Sequence, residues 1–115
     1  MENLLELKCK NEWFNLIKTK EKTVEGRLKS DKFNNLKCDD IIKLSNDEVA
    51  GEFVFLKVLK VVEYKTFKEM LEIESLEKVL PTVDDINNGI NVYRNFYTEE
   101  DELQKGVIGI HIKLI

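Results

Sequence analysis

The sequence predicts an α+β domain: a small closed barrel decorated by helices, one near the N-terminus and the others late in the chain. Three observations carry this. Period-two segments stand near both ends, at residues 5–10 and 108–114. β-branched stretches fill the middle, while helical spacing is confined to one early segment and to residues 66–104. The last segment, with Ile108, Ile110, Ile112 and Leu114 on one face, is too apolar to lie at a margin, and closure of the sheet would remove exposed edges. A length of 115 residues suits one domain over residues 1–115.

The elements follow in order. Leu5, Leu7 and Cys9 alternate with Glu6, Lys8 and Lys10, the pattern of a half-buried strand. Asn11 is placed to cap a short helix whose Trp13, Leu16 and Ile17 share an inward face. Residues 22–28 read as a strand, with Val24, Gly26 and Leu28 on one side and Thr23, Glu25 and Arg27 on the other. A glycine inside a strand marks a bulge or a backbone that something approaches closely. Residues 29–37 read as a polar loop, and residues 41–44 as a short strand. After the turn residues Ser45, Asn46, Asp47 and Glu48 comes a β-rich stretch at 49–64, long enough to need a bend or bulge. Thr66 and Glu69 form a capping box for a helix striped by Phe67, Met70 and Leu71. Ser75 caps a further turn that Pro81 stops, and Thr82 with Asp85 marks another start. Ile86, Ile90, Tyr93 and Tyr97 lie on one helical face, although Asn88-Gly89 is also a turn signal. Residues 98–104 make a last acidic helical turn, ended by Gly106.

Composition narrows the function. The formal charge is −4 and the sequence pI about 5.1. That excludes a histone-like polyanion binder, whose domain pI usually exceeds about 9. No apolar run approaches the ~20 residues of a membrane-spanning helix. Met1-Glu2-Asn3 is acidic and polar, unlike a secretory leader, so a cytoplasmic location is expected. Two cysteines, Cys9 and Cys38, fit a reducing compartment and are expected to be small buried hydrophobes. Together with the lone His111 they lack the paired spacing of a zinc site, and no metal or organic cofactor is implied. His111 faces away from the isoleucine stripe and reads as a lining or surface residue.

The mean charge hides an asymmetry. Residues 18–37 carry seven basic and three acidic residues, whereas residues 47–105 carry fourteen acidic and seven basic. A basic segment of this kind can focus anions, including a phosphate backbone, or can be an ordinary solvated loop. Within it, Glu25 and Arg27 sit two apart on a strand and so share a face, where a paired arginine presents a planar fork to carboxylate, phosphate or a base edge. Lys22 has the opposite parity and reaches the same place only if the chain bends at the strand start. Tyr93 and Tyr97 are core candidates that could also stack on a base beside Arg94. Glu72 and Glu74 are cleft carboxylates or, more simply, solvent-facing charges.

Lys22, Glu25 and Arg27 resemble the Gly-x-Lys-x-x-Glu-x-Arg motif of the ASCH domain family, relatives of the PUA RNA-binding domain, with Lys20 in place of the glycine. The resemblance extends along most of the chain. It includes the helix at 13–17, the strand at Asp40-Ile41-Ile42, the Tyr64, Phe67 and Leu71 entry into a helix, and Tyr93-Arg94-Asn95-Phe96-Tyr97 followed by acidic residues and Gly106-Val107-Ile108. It implies a PUA-like pseudo-β-barrel of five or six mixed strands, with a cleft between barrel and helices. It also implies a module binding RNA or a nucleotide or nucleoside, through Lys22, Glu25, Arg27, Tyr93, Arg94 and Tyr97, as a monomer by default.

Two activities of ASCH-like proteins bear on the same cleft. In the amidohydrolases of acylated nucleosides a lysine works with a threonine at the position where this chain has Glu25, so that set is incomplete here. In the ribonuclease-like members lysine, tyrosine and serine act together. Lys22 and Tyr93 or Tyr97 match two of these, and no serine is placed. If the chain is an enzyme, Lys22 and Glu25 are its catalytic candidates. A third reading is a protein–protein adaptor using the acidic helices.

Overall fold

The computed structural model describes residues 4–115; the acidic start at Met1, Glu2 and Asn3 lies outside the described residues. Among the described residues five strands form one mixed sheet: β1 (Leu4–Cys9), β2 (Val24–Leu28), β3 (Ile41–Asn46), β4 (Phe53–Tyr64) and β5 (Val107–Leu114). Their spatial order is β1-β3-β4-β5-β2, with β1 parallel to β3 and every other pair antiparallel. The helices are α1 (Asn11–Lys18), α2 (Phe67–Glu74), α3 (Leu76–Val79), α4 (Ile86–Arg94) and α5 (Glu99–Lys105). Among the described residues no helix is long and apolar enough to cross a membrane.

The sheet curves into a half-barrel. The expected closure is not reached, because no strand ladder joins β1 to β2 among the described residues. The seam is spanned by a side chain instead: Arg27 Nη2 on β2 donates to the Lys8 carbonyl oxygen on β1 at 2.8 Å. The long β4 is bent as expected, with its ladder to β5 shifting register between Val58 and Lys60. β5 lies between β4 and β2, and both of its faces are covered along its first half, while Lys113 near its end is exposed. Ile108, Ile110 and Ile112 enter a core with Leu7, Phe14, Ile42, Leu44 and Leu56. Val107 enters a second core with Val24, Tyr64, Phe67, Met70 and Leu71 beneath the late helices.

Several local expectations shift. Asn11 is the first helical residue rather than the cap; its amide donates to Glu48 Oε2 at 2.6 Å and its side chain accepts from buried Asn46. β2 starts at Val24, two residues later than the alternation suggested, because the chain turns at Thr19 and Lys20, bends at Glu21, and runs irregularly through Lys22 and Thr23 before the strand. The polar loop at 29–37 contains a 3₁₀ turn, Asp31–Phe33, that buries Phe33. The fourth helix is capped by Asp85, whose side chain accepts from the Asn88 amide at 2.7 Å, and not by Thr82. It ends at Arg94, before Tyr97. Thr98 and Asp101 make the reciprocal capping box of α5. Cys9 is partly buried, but Cys38 is exposed in the connection before β3 and is no core residue.

Candidate functional site

The turn after α1 carries Lys22 inward, and the parity of β2 then aims Glu25 and Arg27 at the same place. Lys22 is 2 % exposed. Its ammonium donates to the carbonyl oxygens of Val24 (2.9 Å) and Val79, lies 3.3 Å from Glu25 Oε1, and faces the Trp13 ring at 5.8 Å. Three partners use all three of its donors. Glu25 Oε2 accepts from Arg27 Nε at 3.2 Å and Nη2 at 2.9 Å. One carboxylate therefore lies between two cations inside the fold, and among the described residues Arg27 Nη1 keeps its N–H groups for another acceptor.

The electrostatics follow from burial. Burial pushes the Lys22 amine below the ordinary lysine value, with Glu25 opposing. Burial alone would raise Glu25, but Arg27 and then Lys22 outweigh it and hold the carboxyl below its ordinary range. Burial weakens the Arg27 cation, and Glu25 more than restores it. The Cys9 thiol nearby is pushed up to about 12, by burial first and the Glu25 charge second. The thiol is thus no ready nucleophile.

These side chains floor a cavity of about 150 Å³ at the open seam of the half-barrel. Trp13, Tyr93, Phe96 and Tyr97 supply aromatic wall, Leu80 and Val92 aliphatic wall, and Lys8, Lys10 and Asp47 the mouth. A cavity of this size in a protein interior holds one aromatic ring. Tyr93 is the unusual member. Its ring stacks on Phe67 with centroids 4.1 Å apart and planes 8° apart, and the residue is 6 % exposed. Its hydroxyl has no hydrogen-bond partner among the described residues. Gly26 makes this approach possible, since a Cβ there would sit 2.6 Å from Tyr93 Oη and 2.6 Å from Met70 Cε. Of the two readings left open at Gly26, a bulge or a close approach, the structure has the close approach, with the ladder to β5 unbroken.

Of the sequence candidates, Lys22, Glu25, Arg27, Tyr93 and Tyr97 all line the cavity. Arg94 does not; its Nη1 donates to buried Glu102 at 2.9 Å and ties α4 to α5. Glu72 is exposed, and Glu74 lies elsewhere, accepting from Tyr64 Oη at 2.5 Å and contacting His111 Nε2 at 2.8 Å. His111 is therefore half-buried in a polar cluster beneath α2. Sequence reasoning missed Trp13, Cys9 and Phe96 as cavity walls; the only signal was that aromatics flank the motif on both sides. The basic segment is also quieter in space than in sequence. Lys18 pairs with Glu52, Lys29 with Glu63, and Lys37 with Asp40, besides the two cations on Glu25. Among the described residues, no group of three or more His, Cys, Asp or Glu gathers as a metal site.

A mixed five-stranded half-barrel with late helices beside its open seam is the PUA-like α+β fold. The chain belongs to the ASCH domain family, whose profile matches residues 7–115. It is 41% identical to the crystal structure of hypothetical protein PH0355, covering 97% of this chain and 99% of that one, with a TM-score of 0.90. It is 38% identical to protein PF0455 from Pyrococcus furiosus, covering 97% of both chains, with a TM-score of 0.79. The ASCH protein from Zymomonas mobilis shares the fold at 12% identity and a TM-score of 0.67, over 96% of this chain and 67% of that one. No curated protein matches the chain.

Proposed function

We propose that this single ASCH domain is a binding module that takes one base of an RNA, or a free nucleoside or nucleotide, into the cavity at the open seam. The observation that carries the reading is the Tyr93 hydroxyl: buried, unpartnered among the described residues, and set in an aromatic-walled cavity beside a free edge of Arg27. A buried hydroxyl without a partner costs stability, so a ligand that supplies the partner recovers it. Bases stack on aromatic walls and present donors and acceptors at their edges. In this reading Tyr93 meets the base edge and Arg27 Nη1 meets a carbonyl or phosphate oxygen. Glu25 orients Arg27, and Lys22 holds Glu25 rather than touching the ligand. Free thiols at Cys9 and Cys38 agree with a cytoplasmic setting.

Trp13 is the only tryptophan and lines the cavity, so its fluorescence reports occupancy directly. Titration with uridine, cytidine, adenosine and guanosine, their monophosphates and a short single-stranded RNA is expected to give saturable quenching with at least one. Arg27→Ala should weaken it. Steep salt dependence would identify polymeric RNA, and salt-independent binding a free nucleoside. No saturable change with any of these probes would overturn the assignment.

A second reading, a hydrolase acting through Lys22 and Glu25, is favoured by one observation: burial depresses the Lys22 amine, as a catalytic lysine requires. Turnover of an acylated nucleoside or of single-stranded RNA, followed by chromatography and lost in Lys22→Arg, would establish it.

A further inference from the structure

The outer face of the sheet, opposite the first core, carries a feature the cavity does not use. Register places three rows there. Lys8, Ser45 and Phe53 form one, and Glu6, Lys43 and Phe55 the next. Leu4, Ile41, Lys57 and Lys113 form the third. Ile115 joins beside Phe55, to whose carbonyl its amide donates at 3.0 Å. Phe53 and Phe55 are 45% and 41% exposed, and their rings meet edge to face with centroids 5.5 Å apart. Lys43 Nζ stands over the Phe53 ring at 4.5 Å. Aromatic side chains on a sheet ordinarily turn to the core; here two stay in solvent, ringed by lysines.

The charge on this face is opposite to that of the chain. Among the described residues in these rows, Lys8, Lys43, Lys57 and Lys113 stand against one carboxylate, Glu6, although the chain as a whole is −4. Asp39 pairs with Lys57 at 3.1 Å from the rim, while Lys8, Lys43 and Lys113 make no ion pair within the described residues. Exposed rings interleaved with unpaired cations match a strand that offers bases for stacking and phosphates for charge. Lys8 also belongs to the mouth of the cavity, so the face and the cavity are contiguous.

We propose that the outer face of β1, β3, β4 and β5 is a docking surface for single-stranded RNA, with Phe53 and Phe55 as the stacking platform and Lys8, Lys43 and Lys113 as phosphate contacts. This surface is independent of the cavity reading and can hold when that reading fails. The test uses a fluorescent twelve-nucleotide oligouridylate in anisotropy titrations at several salt concentrations. Three proteins are compared: wild type, Phe53→Ala/Phe55→Ala, and the cavity variant Tyr93→Phe. Both phenylalanines are exposed, so the double variant should keep its circular dichroism spectrum and melting temperature. Removing the platform should weaken the oligonucleotide at least about tenfold. Three phosphate contacts should give a slope of log affinity on log salt of about −2, and Lys43→Ala should reduce its magnitude by about 0.7. Tyr93→Phe should change oligonucleotide binding less than the double variant does, while nucleoside quenching of Trp13 shows the reverse ranking. Unchanged affinity in a folded Phe53→Ala/Phe55→Ala protein overturns the proposal, as does absence of oligonucleotide binding by wild type at low salt. Light scattering supplies the remaining outcome: a wild-type dimer that the double variant converts to monomer would assign the face to a second copy of the chain instead.

Discussion

Tyr93→Phe separates stability from binding and tests the central feature of the site. The substitution removes one oxygen and keeps the ring, so the stack on Phe67 at 4.1 Å survives. What disappears is a hydroxyl with no partner among the described residues in a residue only 6 % exposed. Leaving such a group unsatisfied costs roughly 1–3 kcal/mol. Against this stands the small void left beside Gly26 and Met70, where the flexible thioether, already within reach of that space, can follow. The expected net is a gain of about 1 kcal/mol in the unliganded protein, or a rise in melting temperature of about 4 °C for a chain this size. Urea denaturation read by circular dichroism measures it, with m unchanged. The same variant should lose about tenfold in affinity for the ligand that quenches Trp13. A loss of 1 kcal/mol or more in the unliganded protein would refute the reasoning, because the hydroxyl would then be satisfied and not waiting for a ligand.

Three further outcomes are expected. Glu25→Gln leaves Lys22 and Arg27 facing each other without their shared carboxylate and should destabilise by roughly 3–5 kcal/mol, the cost of breaking a buried ion pair; a urea midpoint within about 0.5 kcal/mol of wild type would contradict it. Glu25 and Glu74 are both held below the ordinary carboxylate value of 4.5 in the folded protein, Glu74 because the Tyr64 and His111 hydrogen bonds outweigh its burial. Their stabilisation is complete above that value and lost as pH falls through the folded values, so acid unfolding should begin below about pH 4.5 and be blunted in Glu25→Gln. With its thiol pushed up to about 12, Cys9 should lag far behind exposed Cys38 in reaction with a disulfide reagent at pH 8; two equal rates would show that the Cys9 pocket opens readily.

On the proposed reading, the site joins binding to fold economy. An open seam beside β2 leaves an edge that a closed barrel would not have, and Arg27 partly substitutes for the missing ladder by reaching the Lys8 carbonyl. The same guanidinium is gripped by Glu25 and still keeps one nitrogen free toward the cavity. A ligand seated there contacts the residue that ties the two edges together, so occupancy should stiffen the seam.

The sequence by itself determined the order of elements, because period two and the i, i+3, i+4 stripe are local consequences of backbone geometry. It also determined that Glu25 and Arg27 share a face and that β5 lies inside the sheet, while at Gly26 it left a bulge and a close approach both open. Other matters were decided only by tertiary structure. Lys22 joins the trio because a turn, not strand parity, carries it there. Arg94 leaves the site because Glu102 on α5 captures it, and the charge of residues 18–37 is absorbed by Glu52 and Glu63 on distant parts of the chain. The barrel stays half open because pairing depends on how β1 and β2 meet across the whole fold, which no local period encodes. The unpartnered Tyr93 hydroxyl belongs to the same class. An aromatic on a helical stripe reads as core, and only the packing of α4 against β2 shows that its oxygen arrives where nothing answers it.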